Sequence, residues 1–315
     1  MSKLLSVLIP SRNERFLVNT VNDLLQHATG EIEIIVSCDG YWPDPPPPDD
    51  KRVKVIHFGA ARGMRACINA AAGVARGEYL MKCDAHTLYA EGFDEVLKAN
   101  CDIDWVVIPR RKRLDAEHWT IEPTSRPDID YEYLSYPLWK EGEEPGLHGT
   151  IWTERIRERF GKPEYDIDDN PAFQGSCWFT TKRFFDETVQ GLQEEGFGTF
   201  IAEPQELGMK AWLSGGAVKI NKLTWYAHLH KGKRWGRGYY FDRDDRKTGN
   251  AYSCDYWMND RWKQARHTME WFINEKFPDM PGWSTDWRER VERDKINDYS
   301  ALKYKDDEWL AGLRT

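Results

Sequence analysis

Strand-like and helix-like segments alternate through the first hundred residues, and this alternation constrains the fold more than any other feature. Residues 15–27 and 63–76 carry apolar or small side chains at helical spacing. Apolar, β-prone segments flank them at residues 4–10, 31–38, 53–58 and 78–83. Strands that alternate with helices predict an α/β fold with a Rossmann-like, mostly parallel central sheet flanked by helices.

The alternation stops after a fifth predicted strand at residues 105–109. Residues 110–172 are polar, aromatic and Pro-rich, with one predicted helix at 151–160, and an excursion of this length inside a domain is usually functional. The α/β pattern then returns, with predicted strands at 175–180 and 218–226 and predicted helices at 182–190 and 203–214. We therefore expect one domain over residues 1–250, consisting of a first half (1–109) and a second half (110–250) that contains the insertion 110–172. Residues 251–315 are expected to form a helical, Trp-rich C-terminal extension.

Composition excludes some classes of protein. The formal net charge of −8 provides no overall attraction for nucleic acid or an anionic membrane. The six cysteines are scattered without metal-site or disulfide spacing, which is typical of reduced thiols. The apolar run before Pro10 is too short for a signal peptide or a membrane anchor. These features predict a protein of the cytoplasm, in a bacterium or a virus-infected host cell, with no membrane partner.

The segment Asp84-Ala85-His86 follows the fourth predicted strand directly. Residues two apart in an extended chain project to the same side, so the carboxylate and the imidazole point into one space. This pair suits a divalent metal beside a phosphorylated ligand. The carboxyl ends of parallel strands meet at one edge of a sheet, so residues 11–14 and Asp39 are expected in the same ligand crevice.

Several motifs resemble those of known glycosyltransferases. The opening Val-Leu-Ile-Pro-Ser-Arg-Asn-Glu at residues 7–14 is similar to the start of nucleotide-sugar glycosyltransferases of the GT-A fold, especially family 2. Residues 62–86, which end in Asp-Ala-His, resemble the polypeptide N-acetylgalactosaminyltransferases. The block Glu-Pro-Gln-Glu-Leu at 203–207, with Trp212 and Gly215-Gly216, is similar to a Glu-containing block of that family, and His228 matches its third metal-binding histidine. The resemblance covers about residues 4–100 and 172–240, and it implies that residues 1–109 are the nucleotide-binding half of the domain and residues 110–250 the acceptor-binding half.

The resemblance implies a metal site and a donor substrate. Asp84, His86 and His228 would hold a divalent cation, and mixed oxygen and imidazole ligands favour Mn²⁺, with Mg²⁺ as the alternative. The cation would bridge the diphosphate of a UDP-sugar and offset the charge that develops on the leaving group. His230, two residues further on, is the alternative third ligand.

The resemblance also implies residues that contact the nucleotide. Asp39 matches the residue that binds the uracil imide, although Asp39-Gly40 is also a plain turn sequence. Residues 231–239 form the one strongly basic stretch and are expected to be a lid over the diphosphate; a nucleic-acid-binding patch and a solvated loop are the alternatives. The expected nucleotide-binding residues are Pro10, Arg12, Glu14, Asp39, Arg62, Arg65, Asp84, Lys231, Arg234 and Trp235. For Arg62 and Arg65 the alternative is a solvated helix face.

Glu203 is the expected catalytic residue. Inverting family 2 enzymes usually have an aspartate base directly after the glutamate, but Pro204 occupies that position here and cannot accept a proton. This departure, together with Asp-x-His, favours a retaining transferase in which Glu203 orients the acceptor or stabilises the reacting sugar. An inverting enzyme with Glu203 as base is the alternative. Glu206 is expected to be an ordinary surface residue of the helix.

Two other functions stay open on the sequence. A nucleotidyltransferase usually has a Gly-rich loop after its first strand, and residues 11–16 contain no glycine. A binding module that keeps the nucleotide crevice without turnover is the non-enzymatic alternative, which Pro204 favours and the intact metal-binding motif disfavours. The acceptor is expected to be a cytosolic protein, a glycan or a hydroxylated DNA base, and the sequence does not specify the donor sugar.

Overall fold

The computed structural model describes residues 3–137, 146–239 and 243–294. Within these ranges the chain forms strands that belong to one large sheet and one small hairpin. The strands are β1 (Leu5–Ser11), β2 (Ile32–Asp39), β3 (Val53–Phe58), β4 (Tyr79–Cys83), β5 (Thr87–Tyr89), β6 (Trp105–Asp115), β7 (Thr120–Ile121), β8 (Glu132–Leu134), β9 (Gly149–Ile151), β10 (Ile167–Asp169), β11 (Cys177–Thr181) and β12 (Ala217–His228).

The helices alternate with the first strands and then dominate the C-terminal part. They are α1 (Leu17–His27), α2 (Met64–Val74), α3 (Phe93–Ala99), α4 (Thr153–Arg159), α5 (Lys182–Phe184), α6 (Glu203–Leu213), α7 (Gly232–Trp235), α8 (Arg243–Met258), α9 (Met269–Trp271) and α10 (Trp287–Asp294). Helices α5 and α9 continue into wider π-type turns, and a short 3₁₀ turn covers Pro163–Tyr165. No described helix is long and apolar enough to cross a lipid bilayer.

The main sheet has the strand order β10-β12-β6-β11-β4-β1-β2-β3. Strands β1 to β4 are mutually parallel, and β6 and β12 run in the same direction on the far side of β11, which is antiparallel to both of its neighbours. The predicted α/β fold with a mostly parallel central sheet is therefore confirmed. Because β1, β2 and β4 run parallel, the loops that follow them leave the sheet at one edge.

Both faces of the sheet are covered, which explains the continuous apolar runs of its central strands. Along β1, Val7 and Ile9 pack on one face with α1 and α3, whereas Leu8 packs on the other face with α2 and α6. The Trp-rich C-terminal part packs in this second cluster, and Trp257, Trp262 and Trp287 are buried there. Residues 295–315 of the predicted extension lie outside the described residues.

Strand β6 continues six residues beyond the predicted end at residue 109. The sequence at 110–115 is charged, which argued against a strand, but β6 pairs with β12 as far as Arg113. The charges are neutralised in place, because Arg110 binds Asp130 at 2.8 Å and Arg111 binds Glu132 at 3.1 Å. The insertion therefore begins as part of the sheet and supplies its own counter-charges.

Candidate metal centre and nucleotide crevice

The candidate metal ligands come from two elements that are distant in sequence. Strand β4 is fully buried, and directly after it the Asp84 N–H donates to the Ser176 carbonyl at 2.9 Å, which fixes the turn. The short strand β5 then pairs antiparallel with the end of β12, so that Thr87 lies opposite His228. This pairing places His228 beside His86 at the edge of the sheet where β4 ends.

Three potential ligand atoms converge at this point. The distance between His228 Nε2 and Asp84 Oδ2 is 3.3 Å, between His86 Nε2 and Asp84 Oδ2 3.7 Å, and between the two Nε2 atoms 3.2 Å. Donor atoms about 2.1 Å from one ion are about 3.0–3.4 Å apart in tetrahedral or octahedral coordination. The three residues therefore fit a divalent cation, and among the described residues they form a compact cluster of potential ligands.

The electrostatics of the cluster favour a cation. Burial alone would raise the pKa of Asp84, but Lys82, His228 and His86 together hold it far below its usual value. Burial is also the largest influence on His228 and lowers its pKa to about 3. At neutral pH the cluster therefore contains a carboxylate and at least one neutral imidazole, which are the protonation states that bind a metal.

Glu14 supports the cluster from the loop after β1. Its Oε2 lies 3.4 Å from His86 Nδ1, and its two oxygens accept hydrogen bonds from Lys231 Nζ at 2.7 and 2.6 Å. We expected Glu14 to contact the base or ribose. The structure places it in the crevice lining but in contact with a candidate ligand, a position that sequence spacing does not reveal.

The crevice above the cluster is lined by the loops that follow β1, β2 and β4. Asp39 accepts hydrogen bonds from the N–H groups of Arg62 at 2.5 Å and Gly63 at 3.1 Å, and Arg12 Nε lies 3.4 Å from its Oδ2. The side chain of Arg12 also lies 5.6 Å from the Tyr239 ring centroid. The expected nucleotide-binding residues that line the crevice are Pro10, Arg12, Glu14, Asp39, Asp84 and Lys231, together with the candidate ligands His86 and His228.

Other expected nucleotide-binding residues do not line the crevice. Arg65, in the first turn of α2, is buried and binds Glu206 and the backbone carbonyls of Gln193 and Ile201. It therefore does not reach the crevice, where we expected it to bind the nucleotide. Arg62 points outward towards Glu194 and contributes its backbone N–H instead. The partners of both arginines are distant in sequence, so local sequence patterns could not show where the two side chains point.

Two expected residues of the basic stretch lie on its outer side. Arg234 pairs with Glu117 at the surface, and the ring of Trp235 packs edge-on against Phe16 at 5.3 Å. The crevice side of the stretch carries Lys231, Arg237 and Tyr239, and the last two were not among the expected contacts. His230 lies at the crevice wall, outside the ligand cluster.

Glu203 begins α6 and lines a smaller pocket that adjoins the metal cluster. Trp178 Nε1 donates to its Oε1, whereas Oε2 is buried without a hydrogen-bond partner. Burial raises the pKa of Glu203, and the nearby charge of Lys82 opposes that rise. Lys82 itself donates to Asp84 Oδ1 at 2.7 Å, so one buried cation lies close to both carboxylates. Neither Lys82 nor Trp178 was expected at the site. The sequence offers a signal for Lys82 alone, a lysine in an otherwise apolar strand.

Glu206 is not the surface residue that we expected. It is fully buried, and it pairs with Arg65 on one side and with Lys210 at 2.7 Å on the other. The i to i+4 spacing to Lys210 was visible in the sequence, but Arg65 lies on a different helix.

Comparisons with known proteins agree with this geometry. A family model described as glycosyl transferase family 2 matches residues 6–187, more than half of the chain. Polypeptide N-acetylgalactosaminyltransferase 5 of Caenorhabditis elegans is 23% identical over 266 residues, which cover 74% of this chain and 40% of that protein. The chain thus spans less than half the length of this curated relative.

Solved structures show the same architecture. A crystal structure of GalNAc-T7 with UDP, GalNAc and Mn²⁺ has a TM-score of 0.65 at 17% identity, covering 88% of this chain and 57% of that one. A structure of S. aureus TarS 1-349 in complex with UDP-GlcNAc has a TM-score of 0.52 at 15% identity, covering 97% and 77%. These likenesses identify the fold as GT-A.

Proposed function

The chain belongs to glycosyl transferase family 2, and on that premise we propose that it transfers a sugar from a UDP-sugar to an acceptor hydroxyl with Mn²⁺ bound by Asp84, His86 and His228. The observation that carries this proposal is the convergence of one carboxylate and two imidazoles at the carboxyl-end edge of the sheet. The ligands named for the two similar structures, UDP with Mn²⁺ and UDP-GlcNAc, support the choice of donor and metal.

The crevice residues have distinct roles in this proposal. Asp39 and Arg12 face the nucleoside end, where a carboxylate can accept the imide N–H of uracil. Lys231 and Arg237 also line the crevice, and their cations can bind the diphosphate. When bound, the divalent ion offsets the negative charge that builds on the departing diphosphate. The basic residues 231–239 cover this end of the crevice and limit the access of water.

We further propose that transfer retains the anomeric configuration. A general base must come within hydrogen-bond reach of the acceptor oxygen. Glu203 is only 1% exposed, its Oε1 is occupied by Trp178, and its Oε2 lies against Gly175. In the retaining reaction the bond from the anomeric carbon to UDP breaks, the acceptor oxygen bonds to the same face, and its proton passes to the leaving phosphate. Glu203 then stabilises the positive charge of the sugar.

The test is UDP release from a panel of UDP-sugars, with and without Mn²⁺. We expect Mn²⁺-dependent release in the wild type that is lost in Asp84→Ala and retained in Asp186→Ala, which changes an exposed aspartate of a surface ion pair. No release and no Mn²⁺-dependent UDP binding would refute the proposal. Binding of UDP without turnover of any donor would instead identify a nucleotide-binding module.

Acceptor class and stereochemistry need separate measurements. The active donor is incubated with proteins, glycans and hydroxymethylated DNA, because each class offers a hydroxyl group. Proton NMR of the first product formed then gives the anomeric configuration directly. An inverted product would assign the base role to Glu203 and overturn the retaining mechanism.

A further inference from the structure

The loop after β1 and the segment after β12 contact each other at several positions. Asn13 Nδ2 donates to the Gly238 carbonyl at 2.6 Å, and a side chain at position 238 would overlap with Asn13. Further contacts join these two segments on both sides of this bond. They are Arg12 with Tyr239, Glu14 with Lys231, Arg15 with Trp235, and Phe16 with Trp235. We refer to residues 12–16 and 231–239 together as the clasp.

Glu14 is the member of the clasp that also reaches the metal cluster. Its carboxylate holds Lys231 through both oxygens, and Oε2 faces His86 Nδ1. The side chains of Glu14 and His86 are each 9% exposed, so this contact is largely shielded from water. Among the described residues, neither imidazole Nδ1 has a hydrogen-bond partner within usual limits, and only that of His86 has a carboxylate in range.

A carboxylate at Nδ1 has a definite consequence for the imidazole. It favours the form in which Nδ1 carries the proton, and this leaves the lone pair of Nε2 free for a cation. It also places a negative charge in the second shell, which favours a cation electrostatically. The orientation of the imidazole and the added negative charge therefore both strengthen cation binding.

We propose that Glu14 is a positioning residue that couples the closed clasp to cation binding at His86. This inference rests on the proposed function, because it concerns the same metal site. When the clasp is closed, Lys231 holds the Glu14 carboxylate against His86. When the clasp opens, Glu14 loses that restraint and His86 loses its fixed partner. Such coupling is reciprocal, so the cation must stabilise the closed clasp by the same free energy.

The experiment compares Glu14→Gln and Lys231→Met with the full-length wild type. Mn²⁺ binding in the presence of saturating UDP is measured from the EPR signal of free Mn²⁺. Closure of the clasp is measured as trypsin cleavage after Arg234 and Arg237. The matched control is Glu33→Gln, because Glu33 is also a buried carboxylate that binds a lysine, Lys54 at 2.7 Å, but it lies on β2 outside the crevice lining.

We expect Glu14→Gln to weaken Mn²⁺ binding about 10- to 100-fold, as loss of an outer-shell partner usually does, and to speed cleavage of the clasp. Lys231→Met should speed cleavage similarly and weaken Mn²⁺ binding a few-fold. In the wild type, Mn²⁺ should slow cleavage, whereas Glu33→Gln should match the wild type in both assays.

Three results would overturn the inference. Unchanged Mn²⁺ affinity in Glu14→Gln would show that Glu14 does not position His86. Weaker Mn²⁺ binding without any change in cleavage would show that the clasp and the metal site are independent. Absence of Mn²⁺ binding in the wild type would refute the metal in the proposed function as well. The first two results would refute only the role of Glu14, so the failure of the inference can be told from the failure of the proposed function.

Discussion

Glu203 and Glu206 lie one turn apart on α6 and are both buried, yet their surroundings differ completely. Glu206 is enclosed by two cations, Arg65 and Lys210, and its Oε1 also accepts the backbone N–H of Gln193 at 3.0 Å. Glu203 has one hydrogen bond, from Trp178, and its Oε2 has no partner. The comparison shows that two equally buried carboxylates can differ in whether their oxygens are paired with donors, so burial alone does not describe the role of either.

The difference extends to the regions around the two residues. The Glu206 network ties α6 to α2 and to the segment before α6 and lies below the crevice. Glu203 faces the pocket that adjoins Asp84 and contains polar side chains such as Gln174 and Gln205. An unsatisfied buried polar atom costs stability, so Glu203 carries an energetic cost that Glu206 does not.

The largest expected effect is the loss of stability when Glu206 is replaced. Glu206→Gln leaves the buried Arg65 and Lys210 without a counter-charge, and breaking a buried ion pair costs about 3–5 kcal/mol. We therefore expect the free energy of unfolding, measured with urea, to fall by about this amount. The activity of the fraction that stays folded should be unchanged. A fall in that activity comparable to the fall for Glu203→Gln would show that the two carboxylates are not functionally distinct.

Glu203→Gln is expected to lower activity and leave stability nearly unchanged, the opposite of Glu206→Gln. The substitution keeps the size of the side chain and its bond to Trp178 but removes the negative charge that stabilises the sugar in the proposed reaction. Loss of one such electrostatic contact at a reacting centre usually lowers kcat about 10²- to 10³-fold. Donor KM and the midpoint of urea unfolding should change little. A stability loss as large as that of Glu206→Gln, with activity retained, would reverse the two assignments.

The sequence predicts the elements of the site better than their contacts. The ends of β1, β2 and β4 followed from apolar patterning, and the positions of Asp84 and His86 followed from the two-residue period of a strand. The third candidate ligand, His228, could be named only through resemblance to a family, because the pairing of β5 with β12 that brings it close is a long-range event. Local patterning contains no signal for such pairing.

The misassigned residues show the same limit. Glu206 was expected to be a surface residue, and Arg65 was expected to bind the nucleotide or, alternatively, to lie on a solvated helix face, because a charged residue on a helix usually faces water. They lie 141 positions apart and satisfy each other inside the molecule. Glu14 similarly has its partners at His86 and Lys231, on loops after other strands. Long-range charge pairs of this kind become visible only once the strand order is known.

Gly175→Ala tests how narrowly Glu203 is positioned. A β-carbon at this glycine would overlap with Glu203 Oε2 and contact Pro204 at 3.2 Å, so the carboxylate would have to move. A displacement of about 1 Å in a reacting group can cost about 10²-fold in rate, and we expect a loss of kcat of that order.

The control for this substitution is Gly73→Ala. Gly73 lies within α2, and a β-carbon there meets no atom within 4 Å. This variant should retain full activity and gain about 0.5–1 kcal/mol of stability, because alanine favours a helix. Full activity in Gly175→Ala would mean that the Glu203 carboxylate can shift without consequence, which would weaken its assigned role.

The smallest expected effect separates two of the hydrogen bonds that tryptophans donate in this core. Trp178 donates to Glu203, whereas Trp212, on α6 itself, donates to the Asn170 carbonyl at 3.3 Å. Each Trp→Phe substitution leaves one buried acceptor unpaired, which costs about 1–3 kcal/mol, so both variants should lose similar stability.

Only Trp178→Phe should also lower kcat, by several-fold, because it frees Oε1 and lets the carboxylate turn. Equal loss of activity in the two variants would attribute the effect to general loosening of the core. Loss confined to Trp178→Phe would establish that the orientation of Glu203, in addition to its charge, contributes to catalysis.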